Sequence, residues 1–295
     1  MKVRFAVAPD SASLQGSGIL AFAQALEASG FDGVWLSDLP LAPVLDPLLG
    51  LAVIAGATSR LRLGANLVPL GRNPFLLAKQ LAQLDQLSGG RLLLSFVPGL
   101  DQPGEREALG LNGANRGAVL EEVLGLVRSW WAGEVVRHHS ARWSFTELSA
   151  VARPVQDPLE VWLGGRGPRA LERVGRVADG WLGAMLTPEE ARGACARIQD
   201  SAASAGRQID PEHYGLSIAY ARAAPDPAVL SGFRSRRADL DPLAVLPVGA
   251  EALRSLIGRY LDAGLSKFVV RPTSTVASWE QEAQWLADAI LDLQN

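Results

Sequence analysis

Eight short runs of strand-forming, mostly apolar residues recur along this chain with helical-period segments between them, and that alternation restricts the fold more than any other feature. The runs begin near Val3 (VRFAVA), Gly33 (GVWLSD), Leu61 (LRLGANL), Arg91 (RLLLSFV), Glu160 (EVWLGG), Asp179 (DGWLGAM), Tyr214 (YGLSIAYA) and Lys267 (KFVV). Early runs are spaced by about thirty residues, the length of one βα unit. Parallel strands covered on both faces read as nearly continuous apolar stretches, as these do. Eight such units predict an α/β fold, a (β/α)8 TIM barrel.

Helix starts keep the same phase. Asp46-Pro47 and Asn73-Pro74 each set a capping side chain before a first-turn proline, whose missing N–H costs nothing there. Thr187 with Glu190, and Ser278 with Gln281, have the spacing of capping boxes. Gly30 and Gly89-Gly90 supply helix stops. Two stretches interrupt the rhythm. Residues 133–158, after the fourth helical region, carry Trp143 and Phe145 and are expected on the lower face, away from the chemistry. Residues 222–248 follow the seventh strand, so they fall at the barrel mouth, where a long, charged loop (RSRRADLDP) serves either as a lid or as a solvated excursion.

A chain of 295 residues, 48% hydrophobic and 20% charged, can bury one large core, and α/β barrels of this size fold as one domain, so residues 1–295 are read as a single unit. A net charge of −3 offers no basic face to nucleic acid or to anionic membranes. Pro9 and Asp10 end the first apolar run before a signal-peptide core would be complete, and no stretch approaches membrane-spanning length. The lone cysteine, Cys195, lies in a helical pattern as a packed thiol, and a reducing cytoplasm is the expected setting.

The strand ends are poor in chemistry. Two-carboxylate hydrolysis needs paired acids there, but the fourth strand ends Phe96-Val97-Pro98 and the seventh near Tyr220. Metal-dependent hydrolysis needs converging ligands, whereas His138, His139 and His213 fall in the lower insertion or before a strand. Schiff-base chemistry needs a lysine in the mouth, and Lys2, Lys79 and Lys267 lie before strands or on a helix. A scaffold without its own reactive groups points to an organic cofactor as the reactive centre and a small molecule as the partner.

The segment VWLGGRGPRAL runs strand, glycine turn, helix start. Backbone N–H groups of Gly164, Gly165, Arg166 and Gly167 are thereby placed to surround a phosphate, with Arg166 and Arg169 adding charge, unless the glycines merely turn a tight corner. Asp38, ending the second strand, suits hydrogen bonding to a cofactor ring or proton acceptance, and equally the turn before Pro40. Asn66, ending the third, suits a ring edge or an ordinary turn. Tyr220 and Arg271, ending the seventh and eighth, are candidates for substrate contact. For Arg271 an ion pair with Asp10 or Asp38 is the alternative. Trp35, Trp162 and Trp181 read as barrel filling, and Asp101 as surface.

The stretches GFDGVWLSD, RLRLGANLVPLGRNPFLLAKQLAQLDQLSGGRLLLSFVPG, VWLGGRGPRALERVGRVADGWLGA and AGLSKFVVRP resemble, in order, the bacterial luciferase-like flavin oxidoreductase family, particularly its deazaflavin (coenzyme F-420) branch. The resemblance implies a flavin or deazaflavin at the C-terminal mouth. A non-proline cis peptide around Asn66, Leu67 and Val68 would back the ring, beside Ala65. Val97 and Pro98 would flank it, Gly164, Gly165 and Arg166 would hold its phosphate, and Asp38 would match the family's acidic position. Leu39 stands where several deazaflavin dehydrogenases of the family carry a histidine, which disfavours alcohol oxidation. The implied activity is an F-420-dependent oxidoreductase passing hydride between ring and small substrate. The alternatives are an FMN-dependent monooxygenase using O2 with a separate reductase, or a non-redox phosphate-binding barrel. By analogy with the family a homodimer is expected, and no metal site.

Overall fold

The computed structural model describes residues 1–10, 18–100, 102–149 and 152–295. Each of the eight runs holds one strand of a closed parallel barrel: β1 (Arg4–Val7), β2 (Gly33–Ser37), β3 (Arg62–Leu67), β4 (Leu92–Phe96), β7 (Val161–Gly164), β8 (Gly180–Ala184), β9 (Tyr214–Tyr220) and β10 (Lys267–Pro272). Neighbours around the ring follow chain order, and β10 closes on β1. Among the described residues, β5 (Val135–His139) and β6 (Ser144–Ser149) stand apart, as an antiparallel hairpin.

The caps form as the side chains dictate. Asp46 accepts the N–H groups of Leu48 and Leu49 at the start of α2 (Pro47–Ala57), and Asn73 those of Phe75 and Leu76 at the start of α3 (Pro74–Ser88). Thr187 and Glu190 complete a reciprocal capping box on α7 (Pro188–Ser204). At α10 (Trp279–Ile290) only half of the expected box forms: Ser278 Oγ accepts the Gln281 N–H at 3.3 Å, and its own proton goes to Glu280. Cys195 is buried on α7, and burial pushes its thiol up to about 12.

Strand alternation divides the side chains between two cores. Phe5, Val34, Leu63, Phe96, Leu163, Trp181, Ile218 and Phe268 belong to the larger core between barrel and helices. Inside the barrel a small cluster of Ala6, Ala8, Trp35, Leu93, Trp162, Leu182 and Val269 fills the middle. Both indoles in it take room that a glycine vacates. A Cβ on Gly64 would lie 1.9 Å from Trp35 Cε3, and one on Gly180 would lie 2.5 Å from Trp162 Cε2. Trp181, by contrast, points outward into the helix layer, so it is not barrel filling.

The stretch 133–158 departs from expectation. The hairpin roots on the lower side, where Trp130, at the C-terminal end of α5 (Arg116–Trp131), packs edge-on against Phe145 and donates its indole N–H to Leu148 O at 3.0 Å. Its tip, however, climbs the outside of the barrel. Arg142 reaches Gly110 O at 3.0 Å, and Ala141, Arg142 and Trp143 share an open cleft with Gly71, Arg72 and Asn73, in the loop after β3 at the mouth. An insertion begun at one face therefore reaches the other.

Residues 222–248 lie at the mouth as expected and carry α8 (Pro227–Arg236), which has no buried residue. Just past the helix, Arg237, itself buried, donates to Asp239, to Glu190 at 2.8 Å and to Met185 O at 2.6 Å. Those hydrogen bonds hold its guanidinium well above the ordinary arginine range. Among the described residues no helix is long and apolar enough to cross a membrane.

Candidate active site

The inward phase set by Trp35, Gly64, Leu93, Trp162, Leu182 and Val269 continues, two residues at a time, to the C-terminal end of each strand. It brings Ser37, Asn66, Ser95, Val97, Gly164, Ala184 and Arg271 to the mouth. Register adds Ser217 beside Ala184 and Ala219 beside Arg271. These are small or uncharged side chains with a single cation. Ser95 is fully buried and its hydroxyl has no hydrogen-bond partner. Ser37, Asn66, Ser217 and Arg271 likewise spend no side-chain hydrogen bond or ion pair on any described residue. Ser95 is the buried member of this set, the others being half-buried or, for Arg271, exposed. A buried polar group is normally satisfied, so its orphaned hydroxyl, at the floor of a mouth lined by open polar groups, marks a place built for a guest.

Asp38 is bound into the wall of this mouth. Its backbone N–H donates to Asn66 O at 2.8 Å, and its carboxylate accepts the Val68 N–H at 3.1 Å and an Arg72 N–H at 2.8 Å. Arg72 reaches Asp46 at 3.1 Å and Val68 O at 3.2 Å as well. Burial works against the Arg72 charge, but Asp38 and Asp46 more than offset it and raise its pKa. The carboxylate thus fastens the end of β3 to the end of β2. The peptide bonds around Asn66, Leu67 and Val68 are trans, contrary to the expectation for this strand; the cis bond among the described residues is Asp157–Pro158. The Val68 N–H is instead aimed at Asp38, which holds the strand end in place.

Three further expectations are corrected by side-chain direction. Ala65 and Leu67 lie on the outward phase of β3, fully buried under the helices, so only their backbone borders the mouth. Tyr220 is outward too: its hydroxyl donates to Glu282 Oε1 at 2.7 Å and its ring stacks on Trp285, both on α10. Burial, and then the Glu282 charge, drive its pKa far upward. A tyrosine held in the helix layer touches no substrate in the mouth.

Arg271 does face the mouth, and neither alternative pairing occurs: Asp38 is taken by Arg72, and the Asp10 carboxylate accepts the Val276 N–H at 3.1 Å. Crowding by the walls and the charge of Arg236 lower the Arg271 pKa. A small cavity of about 60 Å3 lies beside it, bounded by Trp35, Ser37 and Leu39.

The glycine turn after β7 is shaped for close approach. Gly165 has φ +117, and a Cβ there would meet Ala170 Cβ at 2.7 Å; a Cβ on Gly164 would meet Val97 at 2.8 Å. The backbone N–H groups of Gly165, Arg166 and Gly167 donate to no backbone acceptor, and Gly167 begins α6 (Pro168–Val177) without a side-chain cap. Trp181 Nε1 pins the turn through Gly165 O at 2.8 Å, and Arg166 donates to Arg236 O at 2.8 Å. Arg166, Arg236 and Arg271 therefore share one rim, where burial and the nearby Arg237 charge lower the Arg166 pKa. Val97 contacts Gly164 from the end of β4, and the carbonyl of half-buried Pro98 accepts from Arg116 at 3.0 Å. Asp101 lies outside the described residues.

Sequence reasoning missed Ser37, Ser95, Ser217 and Arg236. The three serines carry a signal, since counting by twos from Asn66 or Arg271 along register neighbours finds them. Arg236 carries none, because α8 places it.

The fold agrees with what comparison finds. Residues 2–290 match the family model described as luciferase-like monooxygenase, and the chain belongs to that family. A 5,10-methylenetetrahydromethanopterin reductase of Methanolobus tindarius is 29% identical over 69% of this chain and 60% of its own length. An F420-dependent hydroxymycolic acid dehydrogenase of Mycobacterium tuberculosis is 30% identical over 67% of this chain and 56% of its own. The chain thus spans less than two thirds of the length of these curated relatives. Among solved structures, an F420-dependent secondary alcohol dehydrogenase in complex with an F420-acetone adduct superposes with a TM-score of 0.82 over all of both chains, at 16% identity, a likeness of fold.

Proposed function

We propose that this protein is a coenzyme F-420-dependent oxidoreductase acting on a small organic molecule. The observation that carries the reading is the mouth itself: unpartnered Ser37, Asn66, Ser95 and Ser217 among small side chains, beside open amides and three arginines. The residues fit such a group. The tight turn at Gly164 and Gly165, packed against Val97 and Ala170, leaves the amides after it bare, and the orphaned Ser95 hydroxyl lacks a polar partner. Once bound, a deazaflavin would supply hydride exchange with the substrate. The amides of Gly165, Arg166 and Gly167, with the Arg166 guanidinium, would hold its phosphate. Ser37, Asn66 and Ser95 would offer hydrogen bonds to polar ring edges. Asp38 positions β3 through Val68, and Arg271 is free to orient an acidic or polar substrate.

The relatives named for F420 favour the deazaflavin; the family description favours an FMN-dependent monooxygenase with a separate reductase as the second reading. Titrating purified protein with each cofactor and following ring fluorescence decides between them. Tight binding of F-420 supports the first, tight FMN binding with oxygen consumption the second. Binding of simple phosphate esters with neither ring leaves a non-redox barrel and refutes both. A homodimer in the cytoplasm belongs to the same proposal. Leu49 and Val53 on α2 and Leu76 and Leu87 on α3 are exposed at 48–73%, an apolar face suited to a second copy. A sedimentation mass equal to one chain would remove the dimer.

A further inference from the structure

At the opposite end of the barrel, below the Trp35 and Trp162 indoles, lies a second cavity of about 430 Å3. Its position follows from the same alternation that builds the mouth: Arg4, Arg62 and Lys267 stand on the inward phase at the N-terminal ends of β1, β3 and β10. Its acids are already engaged. Asp32 pairs with Arg4 at 3.2 Å, and Glu160 lies 3.5 Å from His213. Lys267 is engaged as well: it donates to Lys2 O at 2.6 Å and to Ser266 Oγ at 3.0 Å and lies 3.8 Å from Glu212. Counting Lys2, Arg4, Arg62 and Lys267 against Asp32, Glu160 and Glu212 leaves one positive charge in excess. Arg62 spends one N–H on Gly90 O at 3.0 Å, so most of its donor fork is uncommitted.

The roof carries an independent sign. Trp35 is 6% exposed and its Nε1–H has no hydrogen-bond partner. The Cδ2–Cε3–Cζ3 edge of the indole lies against Gly64. The opposite edge, which bears the N–H, therefore points away from β3, and Trp35 lines this cavity. An indole nitrogen is a donor only, as are the guanidinium and ammonium groups below it. The unspent donors of Arg62 and Trp35 ask for an acceptor. Leu93, Val269 and Trp162 supply the apolar remainder of the lining.

We propose that this lower cavity is a second ligand site, separate from the mouth, that takes a compact aromatic carboxylate. The carboxylate meets the open donor fork of Arg62, and the ring lies under the Trp35 and Trp162 indoles. Trp35 stands one inward-facing step above Arg62, a rise of about 7 Å, which one such molecule spans. The cavity does not depend on the cofactor reading, because it is formed by the opposite ends of the strands.

The test is calorimetric titration of cofactor-free protein with benzoate, with benzamide as the neutral isostere and inorganic phosphate as a ringless anion. Saturable benzoate binding is expected, at least about tenfold weaker in Arg62→Gln, within about twofold of wild type in Arg271→Gln, and absent for benzamide. If Arg62→Gln fails to fold, Arg62→Lys, which keeps the charge but loses the fork, takes its place with weaker benzoate binding expected, and the wild-type protein gives a readout of its own. The Trp35 indole N–H resonance, assigned with Trp35→Phe, shifts on addition of benzoate. Four results overturn the proposal: no saturation up to about 10 mM; benzamide binding as tightly as benzoate; binding abolished by Arg271→Gln but kept in Arg62→Gln; or a Trp35 resonance that stays put while benzoate binds. Phosphate competing fully with benzoate shows an unspecific anion site and overturns the aromatic part.

Discussion

Replacing Asp38 tests whether the mouth depends on its carboxylate as a clamp. Asparagine keeps an acceptor for the Val68 N–H, now at 3.1 Å, but gives up the charge facing Arg72 at 2.8 Å. Losing one charge-assisted bond costs about 2 kcal/mol, moderated because Arg72 retains Asp46. Alanine also strands the buried Val68 N–H, which adds about 1–3 kcal/mol, for a total of about 4 kcal/mol. For a chain of this size each kcal/mol moves the melting midpoint by about 2–4 °C. Asp38→Asn is therefore expected to melt about 5 °C below wild type and Asp38→Ala about 12 °C below, by thermal denaturation at neutral pH. In Arg72→Met the two Asp38 substitutions should cost measurably less, because the shared contact is already gone. An alanine variant as stable as the asparagine variant would refute the clamp. So would additive effects of Asp38→Asn and Arg72→Met.

Other consequences can be read in simple assays. Tyr220→Phe leaves KM and kcat unchanged while lowering stability by about 1 kcal/mol, since only the bond to Glu282 is lost; a KM change beyond about threefold would return the residue to the mouth. Gly165→Val, at φ +117 and pressed against Ala170, weakens binding of a phosphate-bearing cofactor by at least about tenfold, read by fluorescence titration against an unaltered circular dichroism spectrum. Cys195, at about 12, resists iodoacetamide at pH 8 in the folded protein and reacts after unfolding. Because its folded pKa is raised, the associated stability is complete below the unfolded thiol's pKa and drains as pH climbs from there toward 12. Rapid labelling of the native protein would contradict that burial.

The strands and caps were legible because they rest on local signals: apolar runs at a βα spacing, and Asp, Asn or Thr ahead of proline. The glycine turn and Arg271 were legible for a similar reason, since each sits at a strand end. What sequence reading missed was side-chain direction. A run such as GVWLS or YGLSIAY is apolar on both faces, so nothing in it says whether Tyr220 or Ser217 looks inward. That choice is settled by neighbours across the register, such as Trp35 over Gly64. The climb of the hairpin tip to Gly110 and the arrival of Arg236 beside Arg166 depend on contacts between segments distant along the chain, which spacing cannot reveal.

Helix α8 contributes no residue to either core, while Arg237 ties its end to Glu190 and Met185 and Arg166 holds the Arg236 carbonyl. Amino-acid changes along its turns therefore escape the penalty that packing imposes elsewhere in the molecule. The helix can drift in sequence as mutations accumulate, with the framework beneath left intact, provided the arginine tethers at its end persist.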